Sequence, residues 1–549
     1  MSDLVFIDIE TDGLDATVIW CAVCRHNGVS EVICNEQDFK AYVSNRKDCK
    51  FVFHNGIGFD VPVVRRLWDF AFPRDMVVDT LVLSRLADPS RSGGHSLRNW
   101  GNTLGFPKGD HEDWSQLSPA MIDYCIRDTE VTEAVYNRLM QELQGFDQES
   151  LDLEHEVQWI IQEQVRNGWL LDQRKCHILC AMFKERMYDI EAELQGVFPP
   201  IVEERWSDKT GNRLKDKVTV FNPGSRQQVA ERLEAKGAVW TELTPTGRPM
   251  VDERALAENQ HIPEAKLVLD YLMYQKRYAQ VSSWLEHVQD DGRVHGRVTT
   301  NGAVTGRMTH QTPNMAQVPS SNSEYGKECR ECWIVPEGRK LVGADASGLE
   351  LRMLAHYMND QEFTNVLLKE DIHTRNQVAS GLATRPQAKT FIYAFLYGAG
   401  DAKIGSIVGG SARDGSELRQ RFLRNTPALE TLRTRVGAAS KRGYLRGIDG
   451  RKLFVRSEHS ALNTLLQAAG AIVMKRALVI LESKANVLGL DYKIVGNIHD
   501  EIQSEVATEQ AEKFGRLAVE SIKEAGVSFE LRCPLDGEYQ VGDSWAETH

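Results

Sequence analysis

An α/β unit followed by a larger α+β unit is the fold class this sequence predicts, on three observations. Up to about residue 145, short β-rich runs alternate with helical patterns: LVFIDIE, TVIWCAVCR and FVFHN, then helices near 60–70 and 118–144. From about 148 the pattern changes to long amphipathic helices, DLEHEVQWIIQEQVRNG and DQRKCHILCAMFKERMYDIEAELQG, each closing near a glycine. After 290, strands return in GRVHGRVTTNG and KLVGAD, helices dominate 360–442 and 460–485, and a hairpin at 493–506 precedes a last helix at 508–525. The boundary between the units falls in GFDQES, residues 145–150. A chain of 549 residues is too long for one core, and 42% hydrophobic with 26% charged residues is ordinary globular composition.

Within the second unit, FNPGSRQQVAERLEAKG sets Gln228 three residues after Ser225, a capping box that opens a helix. Between Phe198 and Val220 the sequence predicts a polar connector. The net charge of −13 argues against an overall positive field for nucleic acid, but binding needs only a local basic track. Residues 421–452, RFLRNTPALETLRTRVGAASKRGYLRGIDGRK, offer either such a track or a solvated helix face. Ten cysteines show no regular framework, and Cys21/Cys24 and Cys329/Cys332 share CxxC spacing without a neighbouring second pair, so they read as ordinary thiols. Acids inside the first apolar run exclude a signal peptide, and the apolar runs fall short of the roughly 20 residues of a membrane span. A soluble protein of a reducing compartment is expected.

The stretch VGNIHDEIQSEV, residues 495–506, sets His499, Asp500 and Glu501 side by side between two apolar strands. Two carboxylates about 4 Å apart repel by roughly 4 kcal/mol at an effective dielectric of about 20, and a divalent cation reverses the sign. Asp500 is therefore a candidate metal ligand, although His-Asp-Glu taken alone also suits a polar hairpin tip. In RKLVGADASGLELRMLAHYM an apolar strand delivers Asp345 at its end, a helix starts at once, and Glu350 follows five residues on. Brought together, Asp345 and Asp500 could hold two Mg²⁺ ions about 3.5–4 Å apart, the arrangement for in-line phosphoryl transfer. In TRPQAKTFIYAFLYGAG, Thr384 can cap a helix, Pro386 fits its first turn, and Gly398 and Gly400 mark its end. Arg385, Lys389, Tyr393 and Tyr397 recur every four residues, each rotated about 40° from the last, so one face reads cation, cation, ring, ring. Such a face suits a triphosphate and a stacked base, or an ordinary helix with two exposed cations.

A second group of acids lies near the N-terminus. Asp8 and Glu10 of VFIDIETDG project from one face of a strand, FHNGIGFDVPVV adds Asp60, and DYCIRDTEVTEAVY sets Tyr124 and Asp128 on one helix face. Singly these are ordinary surface acids or caps; as an ordered set on an α/β pattern they point to a second metal site.

The motifs DASGLELRMLAHYM, RPQAKTFIYAFLYGAG and HDEIQSEV resemble the three polymerase motifs of family A (polymerase I-like) DNA polymerases, nearest the replicative enzymes of T-seven-type short-tailed bacteriophages. TNGAVTGRMTHQTPNMAQVP, GRKLFVRSEHSALNTLLQAAGA and RCPLDGEYQVGDSW extend the match over most of the chain. The resemblance implies a right-hand polymerase over 148–549, with thumb at about 148–295, palm at about 296–358 and 455–549, and fingers at about 359–454. It implies that Asp345 and Asp500 bind two Mg²⁺ ions, with Mn²⁺ as a substitute, and that Glu501 assists beside them. Arg385, Lys389 and His373 would hold the incoming phosphates, with Lys389 also a general acid toward pyrophosphate. Glu350, packed near Tyr397, would exclude ribonucleotides, and Tyr393 implies tolerance of dideoxynucleotides. Arg307, Asn463, Gln467 and His499 would contact the primer-template.

The N-terminal set resembles a 3′-5′ proofreading exonuclease of ribonuclease H-like fold over 1–147, in which Asp8, Glu10, Asp60 and Asp128 bind two metals and Tyr124 positions the attacking water. The implied partners are a DNA primer-template and deoxynucleoside triphosphates, with a phage helicase-primase as a candidate further partner, acting in the host cytoplasm. The first strand begins at residue 4, so no 5′-nuclease unit is expected ahead of it. The connector before FNPGSR lacks a long thumb insertion, so no thioredoxin clamp is expected.

Overall fold

Five strands build the N-terminal sheet: β1 (Leu4–Thr11), β2 (Ile19–His26), β3 (Val29–Ile33), β4 (Lys50–Phe53) and β5 (Val77–Asp79), in the spatial order β3-β2-β1-β4-β5. A computed structural model describes residues 3–549, so Met1 and Ser2 at the start of this unit lie outside the described residues. Central β1 pairs antiparallel with β2 and parallel with β4, which explains its nearly continuous apolar run: Val5, Phe6, Ile7 and Ile9 are all buried. The Pro119–Glu142 helix lies across β1 and β2, started by Ser118, whose hydroxyl accepts from Met121 N at 3.1 Å, and by Pro119 in its first turn. Sequence patterns did not resolve β3, β5 or the helices Glu36–Ser44, Thr80–Ala87 and Leu97–Thr103; β5 has three residues, too few for a periodic signal.

The Gln148–Asn167 helix joins the two units physically. Leu153, Val157, Ile160 and Ile161 pack into the large C-terminal core, while Trp159 packs into the core of the N-terminal sheet. On the same helix Glu154 is fully buried and accepts from Lys475 Nζ at 2.6 Å and pairs with Arg451 Nη1 at 2.6 Å, and Arg451 pairs in turn with Asp449. A buried ion group of this kind adds little net stability over an apolar replacement but is costly to break singly.

In the C-terminal unit a four-stranded antiparallel sheet runs in the order Tyr492–Ile498, Glu501–Ala507, Arg339–Ala346, Gly537–Gly542. The helices Ala461–Val487 and Ala511–Ser528 pack together, and the latter backs the sheet. The Glu458–Val487 stretch is long and apolar enough, by length and composition, to cross a membrane, contrary to the reading of short apolar runs; here most of it is buried in the core. Beyond the sheet, the helices Arg385–Leu396, Ala412–Arg424 and Pro427–Ser440 gather around Phe391, Phe395 and Phe422, with the Phe391 and Phe422 rings edge-on at 5.1 Å.

Three local expectations need correction. The polar connector between Phe198 and Val220 contains an exposed antiparallel hairpin, Ile201–Trp206 with Arg213–Thr219. Ser225 caps its helix, accepting from Gln228 N at 3.5 Å, but the Gln228 side-chain Oε1 accepts from Asn222 N rather than from Ser225 N, so the box is only half formed. The last helix starts at Ala511 after a short 3₁₀ turn and runs to Ser528.

Candidate functional site

Asp345 lies opposite Glu501 in the antiparallel pairing of the two central strands. His499 and Asp500 form the two-residue turn that joins Ile498 to Glu501, and His499 adopts φ 61°, as such tight hairpins require. Ala346 N donates to the Asp500 carbonyl at 3.1 Å, so the strand end and the turn are locked side by side. Directly after this strand Gly348, at φ 59°, turns the chain into the Leu349–Met358 helix, which carries Glu350 in its first turn. Asp345, Glu350, Arg307, Tyr393, Tyr397, Gln467, His499 and Asp500 all line one cleft of about 350 Å³. Desolvation first, then the charges of Asp500 and Glu501, raise the Asp345 carboxyl to about 7. Burial, then the nearby Arg307, holds the His499 imidazole below its usual range.

Glu501 departs from a place beside the acids in the cleft. It is 4% exposed, and its carboxylate accepts from Trp545 Nε1 at 2.7 Å, from Gln503 Nε2, and from His549 Nδ1 at 2.7 Å. Burial works to raise this carboxyl, but those three donors outweigh it and the net shift is downward. Glu501 thus acts on Asp345 through its charge, from inside the sheet.

The cation-and-ring helix forms as its spacing predicts, over Arg385–Leu396, with a complete capping box between Thr384 and Gln387 and with Tyr397 at its C-terminal end. Its two tyrosines reach the cleft; its two cations lie farther along the helix, outside the cleft lining. Arg385 pairs with Asp371, which caps the helix bearing His373, and Lys389 is exposed with no carboxylate partner among the described residues. The His373 ring stands 6.1 Å from the Tyr393 ring. Tyr397 OH donates to Glu350 Oε1 at 2.7 Å, and Arg307 Nη2 donates to the same oxygen at 3.4 Å. Asn463 sits one turn before Gln467 on the Ala461–Val487 helix, half-buried and outside the cleft lining.

The N-terminal acids converge from three elements. Asp8 and Glu10 come from β1, Asp60 opens the Asp60–Leu67 helix and accepts from Ile9 N at 3.3 Å, and Asp128 lies on the Pro119–Glu142 helix one turn after Tyr124. Asp79 fixes the loop ahead of Asp60 by accepting from Asn55 N at 2.8 Å and Ile57 N at 3.0 Å. Burial is the main reason that Glu10 rises to about 8 and Asp60 to about 7. Burial, followed by Glu10, Asp128 and Asp60, raises Asp8 well above its ordinary value. Four acids whose ionisation is resisted together could take up divalent cations.

Two further side chains join this cluster. Lys108 Nζ pairs with Asp128 Oδ2 and lies 4.6 Å from the centre of the Tyr124 ring. Cys125 Sγ donates to the Asp8 carbonyl and to Asp8 Oδ2, both at 3.4 Å. Lys108 lies in an irregular loop with no periodic pattern to single it out; Cys125, placed between Tyr124 and Asp128, was detectable from its neighbours.

Comparison with known proteins places these sites in context. The model of DNA polymerase family A matches residues 203–547. The chain is 33% identical to a DNA-directed DNA polymerase of Escherichia phage T7 over 100% of both chains, and 33% identical to that of Enterobacteria phage T3 over 93% of this chain and 95% of the other. DNA polymerase I of Aquifex aeolicus is 27% identical over 90% of this chain and 88% of its own. The fold is also that of the POL domain of Pol1 from M. smegmatis, solved with DNA primer-template and dNTP: TM-score 0.83 at 21% identity, over 99% of this chain and 96% of that one. A family match over more than half of the chain, together with full-length relatives a third identical, makes this protein a member of DNA polymerase family A.

Proposed function

We propose that this family A DNA-directed DNA polymerase adds deoxynucleotides to a primer 3′ end by two-metal phosphoryl transfer and removes misplaced ends with its N-terminal unit as a 3′-5′ exonuclease. The observation that carries the first half is the meeting of Asp345 and Asp500, 155 positions apart in sequence, at one corner of an antiparallel sheet under the helix that bears Tyr393 and Tyr397. Hard carboxylate oxygens set side by side at the rim of one cleft fit Mg²⁺ or Mn²⁺. Asp345 and Asp500 would hold the ions, which when bound supply a Lewis acid for the phosphate and favour the ionised nucleophile. Tyr393 offers a ring to the base, while Arg385, Lys389 and His373 face the phosphates along the same helix-pair surface. Glu350, anchored by Tyr397, would crowd the sugar 2′ position and so exclude ribonucleotides. Arg307, Gln467, His499 and Asn463 are the candidate contacts to the primer-template minor groove and terminus.

The second half rests on the N-terminal cluster. The strand order β3-β2-β1-β4-β5, with the acids on central β1 and on flanking helices, supports the ribonuclease H-like nuclease reading. Asp128 Oδ1 is buried without a hydrogen-bond partner, which fits an oxygen awaiting a cation. Asp8, Glu10, Asp60 and Asp128 would hold the ions there, and Tyr124 would orient the attacking water. Nuclease over 1–147 and polymerase over 148–549 remain the proposed division, with the Gln148–Asn167 helix bound into both. Primer extension and 3′-end excision with Mg²⁺, comparing wild type, Asp500→Asn and Asp8→Ala, test both halves. Synthesis lost only in the first variant and excision only in the second supports the reading; synthesis surviving Asp500→Asn ends it.

A further inference from the structure

Among the groups that meet at the N-terminal cluster, Lys108 has no role in holding cations, yet it reaches into the centre of the site. Its ammonium pairs with Asp128 Oδ2 and stands 4.6 Å from the centre of the Tyr124 ring. The loop that carries it is fixed by the helix that carries Tyr124 and Asp128: Arg127 Nε donates to the Pro107 carbonyl at 3.1 Å, and the Arg127 guanidinium stacks 3.4 Å from the centre of the Phe106 ring. The Lys108 side chain is 18% exposed, too enclosed to find its counter-charge in solvent.

We propose that Lys108 is a further catalytic residue of the nuclease centre, which neutralises the acid cluster while no cation is bound and donates to a non-bridging oxygen of the scissile phosphodiester once cations hold the carboxylates. This rests on the proofreading reading above. The argument is one of charge exchange. Lys108 takes one oxygen of Asp128 and leaves the other unpartnered. Cations drawn to the four acids compete with the ammonium for Asp128. A lysine released from that pair stays beside Tyr124, because its backbone is anchored, and a nearly enclosed ammonium needs another anion. The phosphodiester delivered to this site is that anion. In the reaction the water oxygen bonds to phosphorus, the bond from phosphorus to the 3′-oxygen breaks, one water proton ends on that departing oxygen, and a nucleoside 5′-monophosphate leaves. Lys108 stays protonated throughout and contributes hydrogen bonds and field to the charge that builds on the phosphate.

The experiment compares full-length wild type, Lys108→Met and Lys108→Arg. Three quantities are read: the excision rate at saturating mismatched primer end, Mn²⁺ binding followed by electron paramagnetic resonance, and primer extension as a control for folding. The proposal expects Lys108→Met to lower the excision kcat by about 10²–10³-fold, the scale of losing one donor to a developing anion. It expects Mn²⁺ affinity unchanged or tighter, synthesis unchanged, and Lys108→Arg to keep more of the rate. Excision at the wild-type rate in Lys108→Met overturns it. So does a lost rate accompanied by weaker Mn²⁺ binding and restored by excess metal, since Lys108 would then only shape the metal site. Excision that is absent from wild type, or that survives Asp8→Ala, strikes the nuclease reading itself, and the role of Lys108 falls with it.

Discussion

In the N-terminal unit the acids are enclosed: Glu10 and Asp60 are each 5% exposed and Asp128 2%, held by a paired strand, a helix start and the middle of a long helix respectively. In the C-terminal cleft Asp345 is exposed at a strand end and Asp500 stands half-exposed on a hairpin turn. Loss of water is nonetheless the leading cause of raised proton affinity in both places, for Glu10 and Asp60 as for Asp345. The difference lies in what completes each site. The N-terminal cluster carries its own counter-ion, Lys108, and as a nuclease centre it would need only metal and a strand end. The C-terminal cleft leaves Arg385 and Lys389 outside its lining, on the first turns of the helix whose Tyr393 and Tyr397 line it, so on the proposed reading a nucleotide would span cleft and helix. On the proposed reading, excision would use a preformed site, and synthesis would depend on helix and sheet coming together around substrate.

The sharpest test of that contrast is the pair of acid substitutions. Asp500→Asn should lower synthesis by at least about 10³-fold and leave excision intact, because the lost charge faces the reacting phosphate only in the cleft. Asp8→Ala should do the reverse. Single-turnover extension and excision on one labelled primer-template read both, and cross-inhibition of both activities by either change would show that the clusters are not separate.

A second test asks whether the units are independent in folding as well as chemistry. Glu154 ties the shared Gln148–Asn167 helix to Lys475 and Arg451 in a fully buried group. Lys475→Met leaves that group short of one cation and should cost about 3 kcal/mol, the lower end for a broken buried pair. Urea unfolding should show a single weakened transition; an unchanged midpoint would mean that water or rearrangement replaces the lysine.

A third test uses pH without metal. Glu10 and Asp60 titrate at about 8 and about 7 in the native state, against 4.5 and 3.8 for the ordinary groups. The native state therefore binds more protons than the unfolded chain between about pH 4 and pH 8, and stability falls as pH rises through that window. In EDTA the melting temperature of the protein should drop from pH 5 to pH 8, and added Mg²⁺ should recover more of it at pH 8 than at pH 5. A melting temperature that rises with pH in EDTA would mean that these acids ionise freely.

The two sites also differ in how far the sequence revealed them. Asp8 and Glu10 at strand period, Tyr124 and Asp128 at helix period, and Asp345 at the end of an apolar run were legible because each depends on local geometry. So was the Thr384 cap, where both halves of the box lie three residues apart. The enclosure of Glu501 was not legible: its donors Trp545 and His549 stand 44 and 48 positions away and arrive only when the last strand completes the sheet. Lys108 was missed for the same reason, since an irregular loop carries it to Asp128 with no period to mark it. The Ile201–Thr219 hairpin escaped because its strands are exposed on both faces, so no alternation of apolar and polar residues records it.

The smallest expected effect tests a detail of the cleft. Tyr397 OH and Arg307 both donate to Glu350 Oε1, and the tyrosine bond is the shorter, 2.7 Å against 3.4 Å. Tyr397 is 47% exposed, so water can replace part of what its hydroxyl supplies. Tyr397→Phe should therefore free Glu350 at a cost of about 1 kcal/mol, and discrimination against ribonucleotides should fall a few-fold. Glu350→Ala, which removes the obstructing group itself, should relax discrimination further. Competition between one ribonucleotide and its deoxy counterpart on a single template base measures both variants as a ratio, so a general loss of rate cancels. If Tyr397→Phe slowed deoxynucleotide addition while leaving that ratio untouched, the hydroxyl would matter to the helix or the template rather than to the stance of Glu350. The order of the two variants is the informative part, because a gate set by position should loosen before it is lost.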